Sequence, residues 1–201
     1  QMNPHFIFNS LNSINRFILQ NNKEQASEYL TKFSKLIRLI LQNSQAALIT
    51  LESELESMEL YLDLEALRFD QRFGYKIAVP KDMDISALKV PPLIIQPYAE
   101  NAIWHGLMHK KDKGQLDIEI FQATDHLYFK ITDDRIGRNQ AAARKDSSAI
   151  RQKPMGMRIT ADRIAMMQKA GSKEPAISIN DLKGPDGSDA GTEVIIKLPV
   201  I

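Results

Sequence analysis

A histidine stands fifth in the chain, within Asn3-Pro-His-Phe-Ile-Phe-Asn-Ser-Leu-Asn-Ser-Ile14. Read as a helix, this stretch sorts into faces. Ile7, Leu11, Ile14 and Ile18 recur at spacings of four, three and four, which predicts the seam of a helix packed on another helix. His5, Asn9, Asn12 and Arg16 fall on the side away from that seam. Neutral imidazole is a nucleophile at physiological pH, with an unperturbed pKa of about 6.5, so a histidine held on a packed helix and offered to solvent can accept a phosphoryl group. A second candidate lies in Gln96-Pro-Tyr-Ala-Glu-Asn-Ala-Ile-Trp-His-Gly106, where Asn101 and His105 are four apart and share a helix face that Met108 continues. An asparagine amide oxygen is a hard ligand suited to Mg²⁺, an ion usually held by few protein groups plus waters and phosphates. Taken singly, each residue also has a plain reading: an ordinary surface histidine, and an asparagine making a local hydrogen bond.

The elements that must position these residues change character along the chain. From residue 1 to about 68 every periodic segment is helical. A polar break at Gln20-Asn-Asn-Lys23 ends the first helix, and the second carries Ala26, Leu30, Phe33, Ile37 and Ile40, widened by Tyr29, Leu36 and Leu41. A stripe this wide predicts two partners, the first helix and helices of a second copy. Thr50 reads as an N-cap with Glu52 and Glu54 in the first turn, where the helix dipole favours acids. The third helix carries Leu51, Leu55, Met58 and Leu62, and its Glu-rich outer face reads as solvated surface. After Asp70 the period becomes two: Tyr75, Ile77, Val79; Leu116, Ile118, Ile120; Leu127, Phe129, Ile131; Val194, Ile196, Leu198, with Ile177 and Ile179 in a further short strand. Helices from about Leu93 to Leu107 and Met157 to Lys169 would cover one side of this sheet. The fold class expected is α+β, with a helical region over 1–69 and a sheet-and-helix sandwich over 70–201.

Composition excludes several classes. At 201 residues and 43% hydrophobic content the chain can bury one sizeable core or two small ones. A formal net charge of +1 supplies no electrostatic case for binding nucleic acid or a membrane surface. With no cysteine, disulfides and thiolate metal sites are excluded, in keeping with a reducing cytosol. No run of about 18 apolar residues occurs. Because its first residues already belong to a motif, the chain reads as a fragment of a longer protein with a further region upstream.

The segment around His5 resembles the acceptor-histidine segment of the LytS-like sensor histidine kinases. Residues 96–106 resemble the asparagine box of the GHKL, or Bergerat-fold, ATP-binding domain, in which the matching asparagine coordinates magnesium. GHKL ATPases that use water carry a glutamate four residues before that asparagine. Here Pro97 stands there, which argues for phosphoryl transfer over hydrolysis. Asp133-Asp-Arg-Ile-Gly137 occupies the place of Asp-Asn-Gly-x-Gly, and by resemblance the Asp133 carboxylate accepts from the adenine amino group; read alone it is a turn or cap residue. Arg135 departs from the family, whose glycine lets the backbone approach the nucleotide. In Pro154-Met-Gly-Met157 only Gly156 of two family glycines is present, and Gly191-Thr192 matches the closing Gly-Thr pair. Residues 138–153, rich in Ala, Ser and basic side chains, read as a lid in which Arg144, Lys145 or Arg151 can reach a phosphate. Trp104 reads as a packing or surface aromatic, and His109 and His126 as surface residues.

The resemblance implies a histidine kinase core: a dimerising hairpin that bears the acceptor, followed by a GHKL domain of mixed sheet and covering helices. It implies Mg²⁺-ATP bound by Asn101, His105, Asp133, Gly137, Gly156 and Thr192, with Asn101 on the metal. His5 would attack the γ-phosphate and pass the group to an aspartate on a response regulator receiver domain, and Asn9 would orient a water that dephosphorylates the regulator. By the same resemblance the chain is the cytoplasmic portion of a longer bacterial sensor, anchored to a membrane only through a region upstream, and nucleic acid is not an expected partner. Two other classes remain: a non-catalytic signalling module that has lost ATP through Arg135, and a GHKL ATPase, which Pro97 disfavours.

Overall fold

The computed structural model describes residues 4–110, 112–134, 155–167 and 176–200. In chain order its elements are α1 (Pro4–Leu19), α2 (Lys23–Asn43), β1 (Ile49–Thr50), α3 (Leu51–Arg68), β2 (Phe73–Ala78), β3 (Lys89–Val90), α4 (Gln96–His105), β4 (Gly114–Ala123), β5 (His126–Asp133), α5 (Met155–Met167), β6 (Ile177–Lys183) and β7 (Asp189–Pro199). They form two compact units, Gln1–Gln71 with Ile85–Pro92, and Arg72–Asp84 with Leu93–Ile201.

In the first unit α1 and α2 make a hairpin. Asn21 takes a positive φ of 56°, a conformation asparagine tolerates, and the Asn22 side chain caps α2 by accepting from the Gln25 N–H at 3.2 Å. The packed face of α1 differs from the expected one. Phe6, Ser10, Ser13 and Phe17 are buried, whereas Ile7, Leu11 and Ile18 are exposed. The reason lies in the partner side chains: Phe6 packs against Tyr61 and Phe33 with ring centroids 5.2 and 6.3 Å apart, and Phe17 against Tyr29 at 5.8 Å. Between the rings the small serines leave room for Tyr29, whose hydroxyl donates to Ser10 Oγ at 3.3 Å. Large rings set opposite small residues fill space as densely as an aliphatic ladder does. The α2 stripe is covered on one flank only: Ala26, Tyr29, Leu36 and Ile40 are buried, while Leu30 and Leu41 remain exposed.

Helix α3 begins as its sequence predicts, with Thr50 Oγ1 accepting from the Ser53 N–H at 3.1 Å. Two further first-turn N–H groups are satisfied from a distant segment: Leu51 N donates to Leu88 O at 2.8 Å and Glu52 N to Ile85 O at 3.0 Å. The same segment supplies β3, which pairs antiparallel with β1 in the register Ile49↔Val90. Not all the glutamates of α3 are solvated, contrary to the sequence reading. Glu59 is exposed, but Glu54 and Glu65 are buried, and the Arg68 guanidinium meets Glu65 at 3.1 Å. A buried carboxylate needs such a partner to offset its lost hydration.

The second unit is a five-stranded mixed sheet in the order β2-β4-β5-β7-β6, parallel between β2 and β4 and antiparallel elsewhere. Its inner face carries the alternating series expected, with Leu116, Ile118, Ile120, Leu127, Phe129, Ile131, Val194, Ile196 and Leu198 all buried. The outer face is polar: Lys130 lies 3.5 Å from Glu119 and 3.8 Å from Glu193 on its two neighbouring strands. Helices α4 and α5 pack on each other, α4 also on β4 and β5, and α5 on β7. One helix is shorter than expected at both ends. Leu93 has φ of 61°, outside the helical region, and Gly106 at φ −124°, ψ −81° stops α4 at His105. Met108 therefore sits in a following 3-10 turn, Leu107–His109, and does not continue the Asn101 face.

Candidate functional site

The candidate residues fall into two sets, one in each unit. Pro4 opens α1, a first-turn position where its missing N–H costs nothing. His5 follows, exposed, and the next residue, Phe6, is 4% exposed and wedged among aromatic rings. Burial of Phe6 fixes the rotation of the helix about its axis, so His5 is presented to solvent by a rigid neighbour. One turn on, Asn9 Nδ2 lies 2.9 Å from His5 Nδ1, and Asn12 is exposed beyond it. At the far end of α1, Arg16 Nη2 donates to the Arg68 carbonyl at 3.0 Å and lies 3.6 Å from Asp70, tying α1 to the end of α3.

In the second unit strand alternation does the positioning. Asp133 ends β5 in phase with Phe129 and Ile131, so its side chain points to the helix-covered face and is buried, at 2% exposure. Its register partner on β7 is Thr192, fully buried and in phase with Val194. Immediately before it Gly191 has φ of 142°, and a Cβ there would stand 2.0 Å from the Asp133 carbonyl oxygen. A glycine is required at that crossing. Asp134, the residue just after β5, works as a staple: Oδ1 accepts from the Gln115 N–H at 2.9 Å and Oδ2 from Lys110 Nζ at 2.8 Å. Sequence reasoning assigned Asp134 no role.

Asn101 is half-buried on α4, the helix that packs over β5. Its neighbour Glu100 accepts from Gln96 Nε2 at 3.2 Å; burial pushes the Glu100 carboxyl above its ordinary range and that hydrogen bond offsets part of the rise. Burial also pushes the Tyr98 hydroxyl up to about 12. A carboxyl raised in the folded state stabilises the fold while it is protonated, and that contribution is lost as pH rises through the raised pKa. Glu100→Gln should therefore raise the thermal midpoint of the nucleotide-free chain near neutral pH and leave it unchanged at about pH 3, where glutamate is protonated in both states. Parallel midpoint curves for parent and variant across that range would show that this carboxyl carries no such cost.

Residues 1–73 match the histidine kinase family model. The sensor histidine kinase BtsS of Escherichia coli is 35% identical over 134 residues, which is 67% of this chain and 23% of BtsS. The sensor histidine kinase/phosphatase LytS of Staphylococcus aureus is 37% identical over 139 residues, 68% of this chain and 23% of LytS. The chain belongs to the sensor histidine kinase family. The matched stretch spans about a quarter of the length of these curated relatives. Among solved structures, a mycobacterial sensor histidine kinase, MprB, aligns over 76% of this chain and 96% of its own at 13% identity and a TM-score of 0.46, too distant to inform function.

Within this family member the structure brings together some of the residues singled out above and leaves others aside. Asp133 and Thr192 are register partners, and Asn101 lies on the helix covering the same sheet face. Gly156 falls in the first turn of α5, which packs against α4, and His105 is the last residue of α4. Gly137, Arg135 and the basic stretch 138–153 lie outside the described residues. Trp104 is half-buried, and the half-buried His126 has its ring 6.4 Å from that of Tyr128 on the polar side of the sheet. Among the described residues no helix is long and apolar enough to cross a membrane.

Proposed function

We propose that this chain is the catalytic core of a two-component sensor histidine kinase, which phosphorylates itself on His5 from ATP and passes the group to an aspartate on a response regulator. The observation that carries the reading is a solvent-exposed histidine on a helix locked by its buried neighbour Phe6, within the stretch that matches the kinase family. In the transfer a ring nitrogen of neutral His5 forms the bond to phosphorus, the bond to the departing ADP oxygen breaks with its electron pair, and the ring later loses a proton to water. Catalysis of this kind is mostly positioning and charge neutralisation. Incubation with labelled ATP should yield an acid-labile, base-stable phosphoryl group on the protein, and its absence would sink the reading.

The second unit is read as a GHKL-type ATP-binding domain. The residues present fit a nucleotide. Asp133 is a buried carboxylate able to accept from an exocyclic amine, and Gly191 permits a backbone crossing that a Cβ would fill. Asn101, His105, Asp133, Gly137, Gly156 and Thr192 would hold Mg²⁺-ATP, with the Asn101 amide oxygen on the metal. When bound, the nucleotide supplies the phosphoryl group and the metal neutralises its charge. Arg135 bears on affinity. If the glycine it replaces is needed for backbone approach, strain of about 1–3 kcal/mol is taken from binding, roughly a ten- to hundredfold loss. Arg135→Gly should therefore tighten ATP binding by calorimetry. Unchanged or weaker binding would mean that the guanidinium is accommodated. Failure of any nucleotide to bind would favour a non-catalytic signalling module, and release of free phosphate an ATPase.

The exposed apolar residues of the helical unit are assigned to a homodimer interface. Ile7, Leu11 and Ile18 on α1, and Leu30 and Leu41 on α2, form stripes flanking the buried seam, each the continuation of an apolar face only half covered within the chain. Covering a leucine or isoleucine stabilises by about 1.5–3 kcal/mol. Ile37, half-buried at the edge of the α2 stripe, should be sensitive, so Ile37→Asp is expected to leave a monomer. Sedimentation of the parent at tens of micromolar decides the matter, since a monomeric parent would remove the interface.

A further inference from the structure

Asn9 Nδ2 lies 2.9 Å from His5 Nδ1, one helical turn away. The nitrogen of a primary amide carries only N–H bonds and must donate; the ring nitrogen it meets must accept, and in a neutral imidazole that places the proton on Nε2. In this tautomer the Nδ1 lone pair is engaged by the amide and Nε2 has no lone pair to give. Neither nitrogen is disposed to attack phosphorus. A half-turn of the Asn9 amide about its Cβ–Cγ bond exchanges nitrogen for oxygen at the same place. The amide oxygen can only accept, so the ring proton must then sit on Nδ1, and the lone pair appears on Nε2. The hydrogen bond of Asn9 to Ser13 engages its backbone carbonyl, with Ser13 Oγ donating at 3.0 Å, and leaves the side-chain amide its rotation. No carboxylate can do the same work from the next position along the chain, which is the buried phenyl of Phe6.

We propose that Asn9 is a positioning residue that selects the tautomer of His5: amide nitrogen inward holds the acceptor in a non-nucleophilic state, and amide oxygen inward makes Nε2 the nucleophile. This deepens the kinase reading and rests on it for its functional consequence. In the transfer the Nε2 lone pair forms the bond to phosphorus and the ADP oxygen leaves with the electron pair of the broken bond. The ring becomes cationic, and its Nδ1 proton, shared with the Asn9 oxygen, is stabilised there until it is lost to water. A hydrogen bond in which the donor is charged is roughly twice as strong as a neutral one, so the oxygen-inward arrangement favours the protonated phosphohistidine formed first as well as the attack.

The test reads the tautomer directly, by nitrogen NMR of the chain with labelled histidine, without nucleotide and at a pH where the ring is neutral. The parent should hold its His5 proton chiefly on Nε2. Asn9→Asp, isosteric and able only to accept, should move the proton to Nδ1. Asn9→Leu, of similar bulk and with no hydrogen bond, should fall between the two. With ATP added, Asn9→Asp should restore at Nε2 the autophosphorylation that Asn9→Leu loses. Equal tautomer populations in all three proteins would overturn the proposal, as would phosphorylation at Nδ1 in Asn9→Asp. A tautomer that responds as expected in proteins that never become phosphorylated would leave the proposal standing and remove the kinase reading instead.

Discussion

Gly191→Ala should cost this chain the nucleotide site proposed for it. At φ of 142° any side chain is strained, and the added Cβ would lie 2.0 Å from the Asp133 carbonyl oxygen and 3.3 Å from the Asp134 Cα, both backbone atoms where a central strand ends. Strain at a special φ/ψ contributes about 1–3 kcal/mol, and overpacking a further 1–3 kcal/mol or so, against a total of about 5–15 kcal/mol for a domain. The cheapest relief is to part β5 from β7 at the end of their ladder, where Asp133 pairs with Thr192. The damage therefore falls on the two residues assigned to the nucleotide. We expect a drop in thermal midpoint of roughly 10 °C and a loss of ATP affinity of at least about tenfold. Gly187→Ala is the matched control. Its φ is 79° but a Cβ there meets nothing within 4 Å, so it carries the strain without the clash. If Gly191→Ala proves no worse than Gly187→Ala, the crossing at Asp133 does not matter.

His5→Gln should abolish phosphorylation altogether while leaving ATP affinity as it was. The glutamine keeps the helix, since it is a better helix former than histidine, and the position is exposed. The nucleophilic ring goes, and with it the hydrogen bond to Asn9. Because His5 belongs to one compact unit and Asn101, Asp133 and Thr192 to the other, calorimetric ATP binding should not change. Asn101→Ala should show the reverse pattern, with weaker magnesium-dependent binding as the first effect. Loss of nucleotide binding in His5→Gln would count against dividing the work between the units. A residual acid-labile phosphoryl group would place the acceptor elsewhere.

Much of this organisation is legible in the sequence because it depends on spacing along one element. A period of two fixes which side of a strand a residue faces, so Asp133 and Thr192 were bound to share a face with Ile131 and Val194. Thr50 with Ser53 makes a local cap, and local hydrogen bonds follow from local order. The exposure of His5 follows in the same way, since the residues in phase with it are polar. Which apolar stripe of α1 would be buried was a different kind of question. Phe6, Ser10, Ser13 and Phe17 form a seam because Tyr29, Phe33 and Tyr61 come from other helices to meet them. Periodicity reports the stripes a helix offers, and neighbouring surfaces decide which is covered. Tertiary structure likewise brought Ile85 and Leu88 carbonyls to the start of α3, put Arg68 beside a buried Glu65, and laid Gly191 against Asp133. Each of these joins residues whose partners are set by how elements pack, so the requirement for a glycine, a paired carboxylate or a main-chain acceptor arises only once they have met.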